Sequence, residues 1–296
     1  MHRWQDGVHL QMRKTMKSTM TEPYYENSFV TLYNGDCLDA MASIGDSSVD
    51  IVITSPPYNT CRKGVLKEAD SLKGRYHQRY DVFVESRTTD EYIEWSANLF
   101  REFDRILKEN RVVLYNFGLG NDSQTDFGNA DWFSTVCGIC DGSPFAVADL
   151  LFWKKRCALP NNMSQNKSTR IVEPVIVFCR KDEMMSFVSN KKIVSQFEKT
   201  GQKLYSPFYN IFEARNNDGS NDLNKATYST EFVDRLIDLY VPDGSDWVVL
   251  DPFIGTGTTA VSAIAHGMRC IGMELSEQQC QYSVDRIGKG TEVFLF

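Results

Sequence analysis

Short apolar segments that alternate with amphipathic helical patterns constrain this chain more than any other feature of its sequence. The apolar runs are rich in Val, Ile, Leu and aromatic residues and are bounded by Gly, Pro, Asp or Asn. Strands that are apolar on both faces belong to a mostly parallel sheet with helices on both sides, so an α/β fold is predicted. The expected strands are 48–53, 112–117, 150–153, 175–179, 247–250 and 269–273, and the expected helices are 90–107, 230–240 and 258–266.

The chain is expected to form one main domain, because 42% of its 296 residues are hydrophobic and suffice for one full-sized core. Residues 181–224 interrupt the strand–helix rhythm, since they are polar and interleaved with aromatic residues. We interpret them as a small inserted recognition region between a catalytic half, 24–180, and a cofactor-binding half, 225–296. Residues 1–23 are charged throughout and predict a mobile arm without a secretory signal. Without a membrane-length apolar run either, an intracellular location is expected.

Basic residues cluster locally although the net charge of the chain is −7. Residues 61–80 contain six basic and two acidic side chains, and residues 154–170 contain five basic and no acidic ones. Binding to nucleic acid depends on where positive charge lies rather than on the net charge. Taken alone, the clusters fit a phosphate-binding surface and a solvated face equally well. The candidate phosphate-binding residues are Arg62, Lys63, Lys67, Lys154, Lys155 and Arg156.

The cysteines do not indicate a metal centre. Cys137 and Cys140 form the one C-x-x-C pair of the chain, and no second pair of ligands follows at a comparable spacing. No metal is therefore predicted. The pair is expected to be two small buried hydrophobic residues in a loop.

A glycine-rich turn follows one of the predicted strands. Asp251 ends the strand, and Gly255 and Gly257 precede a helical pattern that begins near Thr258. Such a turn presents backbone N–H groups at a helix N-terminus, where a carboxylate or phosphate binds favourably. Glu274 ends the next predicted strand, where a doubly wound sheet places the acid that binds ribose hydroxyls. A nicotinamide dehydrogenase is disfavoured, because the turn lacks the third glycine of a dinucleotide-binding motif.

A second motif, Ser55-Pro56-Pro57-Tyr58, closes another predicted strand. Prolines lack an N–H donor and fix the backbone, so carbonyls such as that of Pro56 can point into a cavity. A hydroxyl and a rigid carbonyl suit an exocyclic amine, which has two N–H groups to donate. The ring of Tyr58 offers a face on which a flat base can stack. The plain alternative is a proline-rich loop that only ends a strand.

Together, Ser55–Tyr58 and Asp251–Thr259 resemble the two long motifs of the DNA amino-methyltransferases. The catalytic motif precedes the cofactor motif, which resembles the order of the circularly permuted beta group. The resemblance covers residues 31–287. It implies a Rossmann-like S-adenosylmethionine-dependent methyltransferase fold, S-adenosylmethionine as the cofactor and DNA as the partner.

The resemblance also implies roles for individual residues. The segment 34–37 is similar to the family segment that contacts the adenine of the cofactor, and 225–229 to the segment at its methionine end. The family often has His-Pro near this second segment, where this chain has Asn224 and Ala226 around Lys225. The implied catalytic residues are Ser55, Pro56, Pro57 and Tyr58. The implied cofactor-binding residues are Asp36, Cys37, Thr54, Lys225, Tyr228, Ser229, Asp251, Pro252, Phe253, Gly255, Gly257, Thr258, Thr259 and Glu274.

The first residue of the catalytic motif indicates the methylated base. Family members that methylate N4 of cytosine usually have Ser there, and those that methylate N6 of adenine have Asp or Asn. Ser55 therefore favours cytosine N4, with adenine N6 as the alternative. Methylation of carbon 5 is disfavoured, since the cysteine nucleophile of that chemistry follows a proline and no cysteine here does. An RNA methyltransferase, a catalytically silent DNA-binding subunit, a homodimer and a partner restriction endonuclease all stay open.

Overall fold

The structure is a computed structural model that describes most of the chain, including both motifs. No helix in its described part is long and apolar enough to cross a membrane. Residues 1–21 of the predicted arm lie outside the described residues. The same holds for Arg62, Lys63, Lys67 and Lys225. The described residues are 22–59, 87–118, 131–158, 160, 165–166, 168–219, 223 and 227–292.

Each of the six predicted apolar runs overlaps a strand, and the described residues form five further strands that were not predicted, namely the first, second, seventh, eighth and ninth. The strands are β1 (Tyr25–Glu26), β2 (Val30–Asn34), β3 (Ile51–Thr54), β4 (Val113–Asn116), β5 (Phe145–Lys155), β6 (Val172–Arg180), β7 (Ile193–Gln196), β8 (Lys203–Tyr205), β9 (Ile211–Ala214), β10 (Val248–Asp251) and β11 (Arg269–Glu274). All four residues of β3, β4 and β10 are buried. These strands are apolar because both of their faces are covered.

Nine of the strands in the described part form one sheet, in the order β1-β2-β11-β10-β3-β4-β6-β5-β9. The five strands from β2 to β4 in this order are mutually parallel. Strand β6 runs antiparallel to both β4 and β5, and β9 adds to β5 in parallel. The predicted, mostly parallel sheet is confirmed. The carboxyl ends of β2, β11, β10, β3 and β4 lie at the same edge of the sheet, the carboxyl edge.

Helices cover both faces of the sheet, as predicted. They are α1 (Cys37–Met41), α2 (Thr89–Ile106), α3 (Asp131–Gly142), α4 (Thr230–Tyr240), α5 (Thr258–Ala265) and α6 (Glu277–Glu292). Helix α2 begins with a capping box between Thr88 and Glu91, and α4 begins at the cap Ser229; both caps satisfy backbone N–H groups that the helix leaves free. Helices α2 and α3 pack together on one face, and α4, α5 and α6 on the other.

The apolar core consists of two layers separated by the sheet. Side chains alternate between the faces of a strand, so Ile51 and Ile53 join the layer under α4, α5 and α6, whereas Val52 joins the layer under α1, α2 and α3. Phe100 of α2 lies at the centre of the second layer, with its ring centroid 4.7 Å from that of Phe178. This double coverage explains why the central strands are apolar without alternation.

Only part of the region 181–224 is separate from the main sheet. Strands β7 and β8 form a hairpin whose residues are all exposed, but β9 belongs to the main sheet. The base of the hairpin is held by Asn190 and Lys192, which both contact Asp243 in the loop before β10. The hairpin therefore begins at the amino edge of the parallel strands, whereas β9 ends at the carboxyl edge.

The expectation that Cys137 and Cys140 are buried in a loop is wrong. Both lie on helix α3, Cys137 is exposed and Cys140 is partly exposed. The helix was missed because its sequence carries two glycines, which weaken a helical pattern, and tertiary packing against α2 overrides that weak propensity.

Candidate active site

A pocket at the carboxyl ends of β2, β11, β10 and β3 brings the two sequence motifs together. The pocket is partly open, and the space between its lining residues measures about 940 Å³ with the adjoining solvent included. Ligands of open α/β sheets bind at this edge, outside the carboxyl ends of the strands. Residues almost 200 positions apart in the sequence thus form one site, because β3 and β10 are neighbours in the sheet.

The glycine-rich turn after β10 keeps its shape through left-handed backbone and contacts with α6. Gly255 has a φ of 54° and Gly257 a φ of 81°, values that favour glycine. A Cβ atom on Gly257 would lie 3.0 Å from Cβ of Ser283 on α6. The Ser283 hydroxyl in turn donates a hydrogen bond to the Gly255 carbonyl at 2.8 Å. The shape of the turn is therefore determined by its glycines and by α6.

The carboxylate of Glu274 joins the end of β11 to this turn. Its Oε2 accepts from the N–H of Gly255 at 3.1 Å, and its Oε1 accepts from the N–H of Ser276 at 2.8 Å. Each carboxylate oxygen can accept a second hydrogen bond. Because Glu274 also lines the pocket, it can bind hydroxyl groups of a ligand while it holds the turn.

Asp251 lies fully buried beneath the pocket and is surrounded by donors. Its Oδ1 accepts from the Thr54 hydroxyl at 2.6 Å and from the Phe253 N–H at 3.1 Å. Its Oδ2 accepts from the Tyr228 and Thr259 hydroxyls at 2.8 and 2.6 Å. Burial raises the pKa of Asp251, and these hydrogen bonds counteract that rise. The carboxylate therefore ties β3, β10, α5 and the segment before α4 together.

The far end of the pocket combines an acid, a thiol and an aromatic wall. Asp36 caps α1 by accepting from the N–H two residues on at 2.9 Å, and burial raises the pKa of Cys37 to about 12, so its thiol is neutral at neutral pH. The guanidinium of Arg87 lies 4.8 Å from the ring centroid of Trp95, which is 5.7 Å from that of Phe253. A flat group such as a purine can stack on an aromatic surface of this kind.

The catalytic motif forms a hydrogen-bonded group at the ends of β3 and β4. The hydroxyl oxygens of Ser55 and Tyr58 are 2.5 Å apart, and the Tyr58 hydroxyl donates to Oδ1 of Asn116 at 2.8 Å. Asn116 is the last residue of β4 and is buried. The Pro57 carbonyl accepts from the Tyr92 hydroxyl at 2.7 Å, which holds the two-proline loop against α2.

Comparison with known proteins identifies the family of this site. The family model described as DNA methylase, which covers N6 and N4 methyltransferases, matches residues 49–285. The chain belongs to this DNA methylase family. The methyltransferase is thus an S-adenosylmethionine-dependent DNA amino-methyltransferase.

Type II methyltransferases are among its relatives. M.ScaI of Streptomyces caespitosus is 24% identical over 288 residues, which cover 92% of this chain and 86% of that protein. M.HinfI of Haemophilus influenzae is 25% identical over 271 residues, which cover 88% of this chain and 69% of that protein.

Solved structures share the fold. The PvuII DNA methyltransferase (cytosine-N4-specific) superposes with a TM-score of 0.67 at 18% identity, covering 93% of this chain and 94% of that one. M1.HpyAVI in complex with SAM gives a TM-score of 0.52 at 17% identity, covering 87% of this chain and 98% of that one. The predicted Rossmann-like methyltransferase fold is confirmed.

The predicted site residues of the methyltransferase fall into two groups, those that line the pocket and those that support it from behind. The lining group is Asp36, Cys37, Ser55, Pro57, Tyr58, Tyr228, Pro252, Phe253, Gly255, Thr258 and Glu274. The buried supporting group is Thr54, Pro56, Ser229, Asp251, Gly257 and Thr259. The Ser229 hydroxyl, for example, accepts from the Phe232 N–H and donates to the Arg215 carbonyl. The contact of each residue with the cofactor stays a prediction.

Sequence reasoning missed several residues that line or support the pocket. Asn116 accepts from the lining residue Tyr58 and ends β4 as Asp251 ends β10, so the rule that ligands bind at the carboxyl ends of parallel strands would have found it. Arg87 and Trp95 line the pocket from the start of α2. Neither residue was predicted, because the helical pattern was used only to identify the residues of α2 that face the core.

The basic residues around the end of β5 are paired with acids. The local sequence contains no acidic residue, but β6, β9 and α4 supply three carboxylates across the fold. Surface pairs of this kind contribute little stability, yet they offset the positive charge available to phosphate. Phosphate contacts by these residues and by Arg62, Lys63 and Lys67 stay predictions. The pairs are Lys154 with Glu213, Lys155 with Glu173 and Arg156 with Glu231.

Proposed function

We propose that this methyltransferase transfers a methyl group from S-adenosylmethionine to the N4 amine of cytosine in DNA. The observation that carries the proposal is the Ser55 hydroxyl at the start of the catalytic motif, in the pocket and beside Tyr58. Cytosine-N4 members of the resembled family usually have serine at this position. The neighbour with a TM-score of 0.67 is named as cytosine-N4-specific, which supports the proposal.

The chemistry asks the protein to position a weak nucleophile. The lone pair of an aromatic amine is delocalised into the ring, and S-adenosylmethionine supplies an electrophilic methyl group on a sulfonium. Ser55 Oγ accepts an N–H group of the amine and draws it out of the ring plane, whereas Pro56, which the sequence suggested as a second acceptor, is buried behind the pocket. Most of the rate gain comes from this positioning and from fixed dipoles. Neutral Ser55 is a weak base, so the amine releases a proton to solvent during or after methyl transfer, and no covalent intermediate with the protein forms.

The target base must leave the duplex to reach this pocket. Tyr58 then offers a ring face to the base, and basic residues along the carboxyl edge contact phosphates. Within 181–224, we assign the base contacts to the residues after β9, and the proposal is supported by Asp218, which accepts from the Thr230 N–H at 3.0 Å and from Arg286 at 3.4 Å and so keeps this segment beside the glycine-rich turn. The hairpin begins at the opposite edge of the sheet.

Incubation with tritiated S-adenosylmethionine and plasmid DNA, followed by identification of the labelled nucleoside, tests the proposal. The expected product is N4-methylcytosine; label in N6-methyladenine would overturn the specificity. Ser55→Ala should keep affinity for S-adenosylmethionine and for DNA but lose most turnover, since its hydrogen bond matters chiefly as the amine changes geometry. Ser245→Ala, at the amino edge of the sheet, is the matched control and should turn over normally. Full turnover by Ser55→Ala would contradict the role of the hydroxyl.

A further inference from the structure

The amide of Asn116 has one orientation. Its Nδ2 donates to the Pro174 carbonyl at 3.2 Å, and the reversed orientation would place two oxygens at that distance without a proton between them. The residue is 1% exposed, so bulk water does not compete for the amide. Oδ1 of Asn116 is therefore the atom that faces the catalytic motif.

This orientation fixes the proton of Tyr58. A carbonyl oxygen only accepts, so the hydrogen bond of 2.8 Å between Tyr58 and Asn116 uses the single hydroxyl proton of Tyr58. The contact of 2.5 Å between Tyr58 and Ser55 then takes its proton from Ser55. Even if the Ser55 proton points instead to Asn116 Oδ1, at 3.4 Å, it stays within this group of three residues.

Ser55 therefore presents a hydrogen-bond acceptor to the pocket. With its proton held by its neighbours, Ser55 Oγ turns a lone pair toward the pocket. We propose that Asn116 is a positioning residue that, through Tyr58, orients Ser55 as a hydrogen-bond acceptor for the amine of the target base. A serine hydroxyl that pointed its proton into the pocket would oppose the N–H groups of that amine. This inference rests on the proposed role of Ser55 toward an exocyclic amine.

Gly118 keeps Tyr58 in place for this role. A Cβ atom on Gly118 would lie 2.3 Å from Cδ2 of the Tyr58 ring, so the ring is packed against the backbone that follows β4. The sequence alone gave Tyr58 a role only through its ring. The structure places its hydroxyl as the link between Asn116 and Ser55.

A double-mutant cycle tests the link. Single-turnover transfer of tritiated methyl groups to DNA is measured at saturating cofactor for the wild type, Asn116→Ala, Tyr58→Phe and the double variant. Each single change should slow transfer roughly tenfold, as expected for one misdirected hydrogen bond. The double variant should be within about threefold of the slower single variant, because both changes break the same chain. Losses that multiply to about a hundredfold would overturn the proposal.

Further measurements separate positioning from folding. The Kd for S-adenosylmethionine, the KM for DNA and the Tm should stay unchanged, and Asn98→Ala, at a partly exposed position of α2, should transfer normally. Asn116→Asp should recover much of the rate, because burial beside the Pro174 carbonyl keeps the new carboxyl group protonated, so that its hydroxyl donates to Pro174 and its other oxygen accepts from Tyr58. A rate for Asn116→Asp as low as that for Asn116→Ala would also overturn the proposal. If Asn116→Ala has a lowered Tm, Asn116→Leu replaces it in the cycle.

The outcome is distinguishable from failure of the proposed function. Incorporation of label into DNA reports transfer whichever base is methylated, so a wild type that labels adenine removes the cytosine assignment while the cycle still tests Asn116. If the wild type labels cytosine but the losses of rate in the two single variants multiply in the double variant, only the role proposed for Asn116 is wrong.

Discussion

Asp251 and Glu274 end neighbouring parallel strands, yet their carboxylates have different surroundings. Asp251 is fully buried, and four donors occupy its two oxygens. Glu274 accepts two backbone N–H groups and still faces the pocket. At the scale of single residues, Asp251 supports the site from beneath, whereas Glu274 lines the pocket and its contact with the cofactor is a prediction.

Replacing Glu274 should weaken binding of S-adenosylmethionine. Glu274→Ala removes both a pocket acceptor and the partner of the Gly255 N–H, and should raise the Kd by about 10- to 100-fold. Glu274→Gln keeps an acceptor oxygen and should have a smaller effect. Calorimetric titration measures the Kd, with the exposed Glu277→Ala as control. An unchanged Kd for Glu274→Ala would contradict this placement.

At the scale of elements, helix α6 shapes the glycine-rich turn between β10 and α5. Arg286 of α6 donates through Nη1 to the Thr256 carbonyl at 2.9 Å and to the Thr258 hydroxyl at 3.1 Å. Together with the hydrogen bond from Ser283 to Gly255, these contacts hold the backbone of the turn from the side of α6. A helix outside the pocket thus controls the geometry of the pocket.

The substitution Arg286→Lys tests this control. A lysine ammonium keeps the charge but loses the planar fork, whose Nη1 binds the turn and whose Nη2 binds Asp218, so the Kd for S-adenosylmethionine should rise roughly three- to tenfold. Arg269→Lys, at the exposed start of β11, is the matched control and should leave the Kd unchanged. If Arg286→Lys binds S-adenosylmethionine as tightly as Arg269→Lys does, the turn keeps its shape without these contacts from α6.

At the scale of the whole molecule, distribution of charge matters more than its sum. The chain carries a net charge of −7, but its DNA must approach the carboxyl edge of the sheet, where the pocket opens. At that edge the ion pairs of Lys154 with Glu213 and of Arg156 with Glu231 offset part of the positive charge. The cluster at 61–80, which lies outside the described residues, contributes six further basic side chains, and the sequence predicts phosphate contacts for them.

The salt dependence of DNA binding separates these two clusters. Neutralising Arg62, Lys63 and Lys67 together should flatten the plot of log affinity against log salt by up to about 0.9 per lost phosphate contact. Neutralising Lys154 and Arg156, which already have acidic partners, should change the slope less. Fluorescence anisotropy across a salt series measures both. A larger change in slope for Lys154 and Arg156 would mean that their ion pairs with the acidic residues break when DNA binds.

Much of the fold and the location of the site followed from the sequence alone. The span 230–240 of α4 and the strands that lead to Ser55 and to Asp251 were predictable, because apolar runs, periodicity and caps act within a few residues of each other. The same holds for the glycine-rich turn, whose positive φ values require glycine. The order of two such strand ends along the chain was enough to suggest the family.

Only the tertiary structure decided which residues face the pocket and which support it. Asn116 meets Tyr58 across 58 positions, and Lys154 meets Glu213 across 59. The joining of β9 to β5 and the antiparallel course of β6 depend on similar long-range pairings. No local pattern encodes such contacts, because their energies depend on which strands become neighbours in the sheet. Neighbours in the sheet are chosen by burial of the whole core rather than by any one segment.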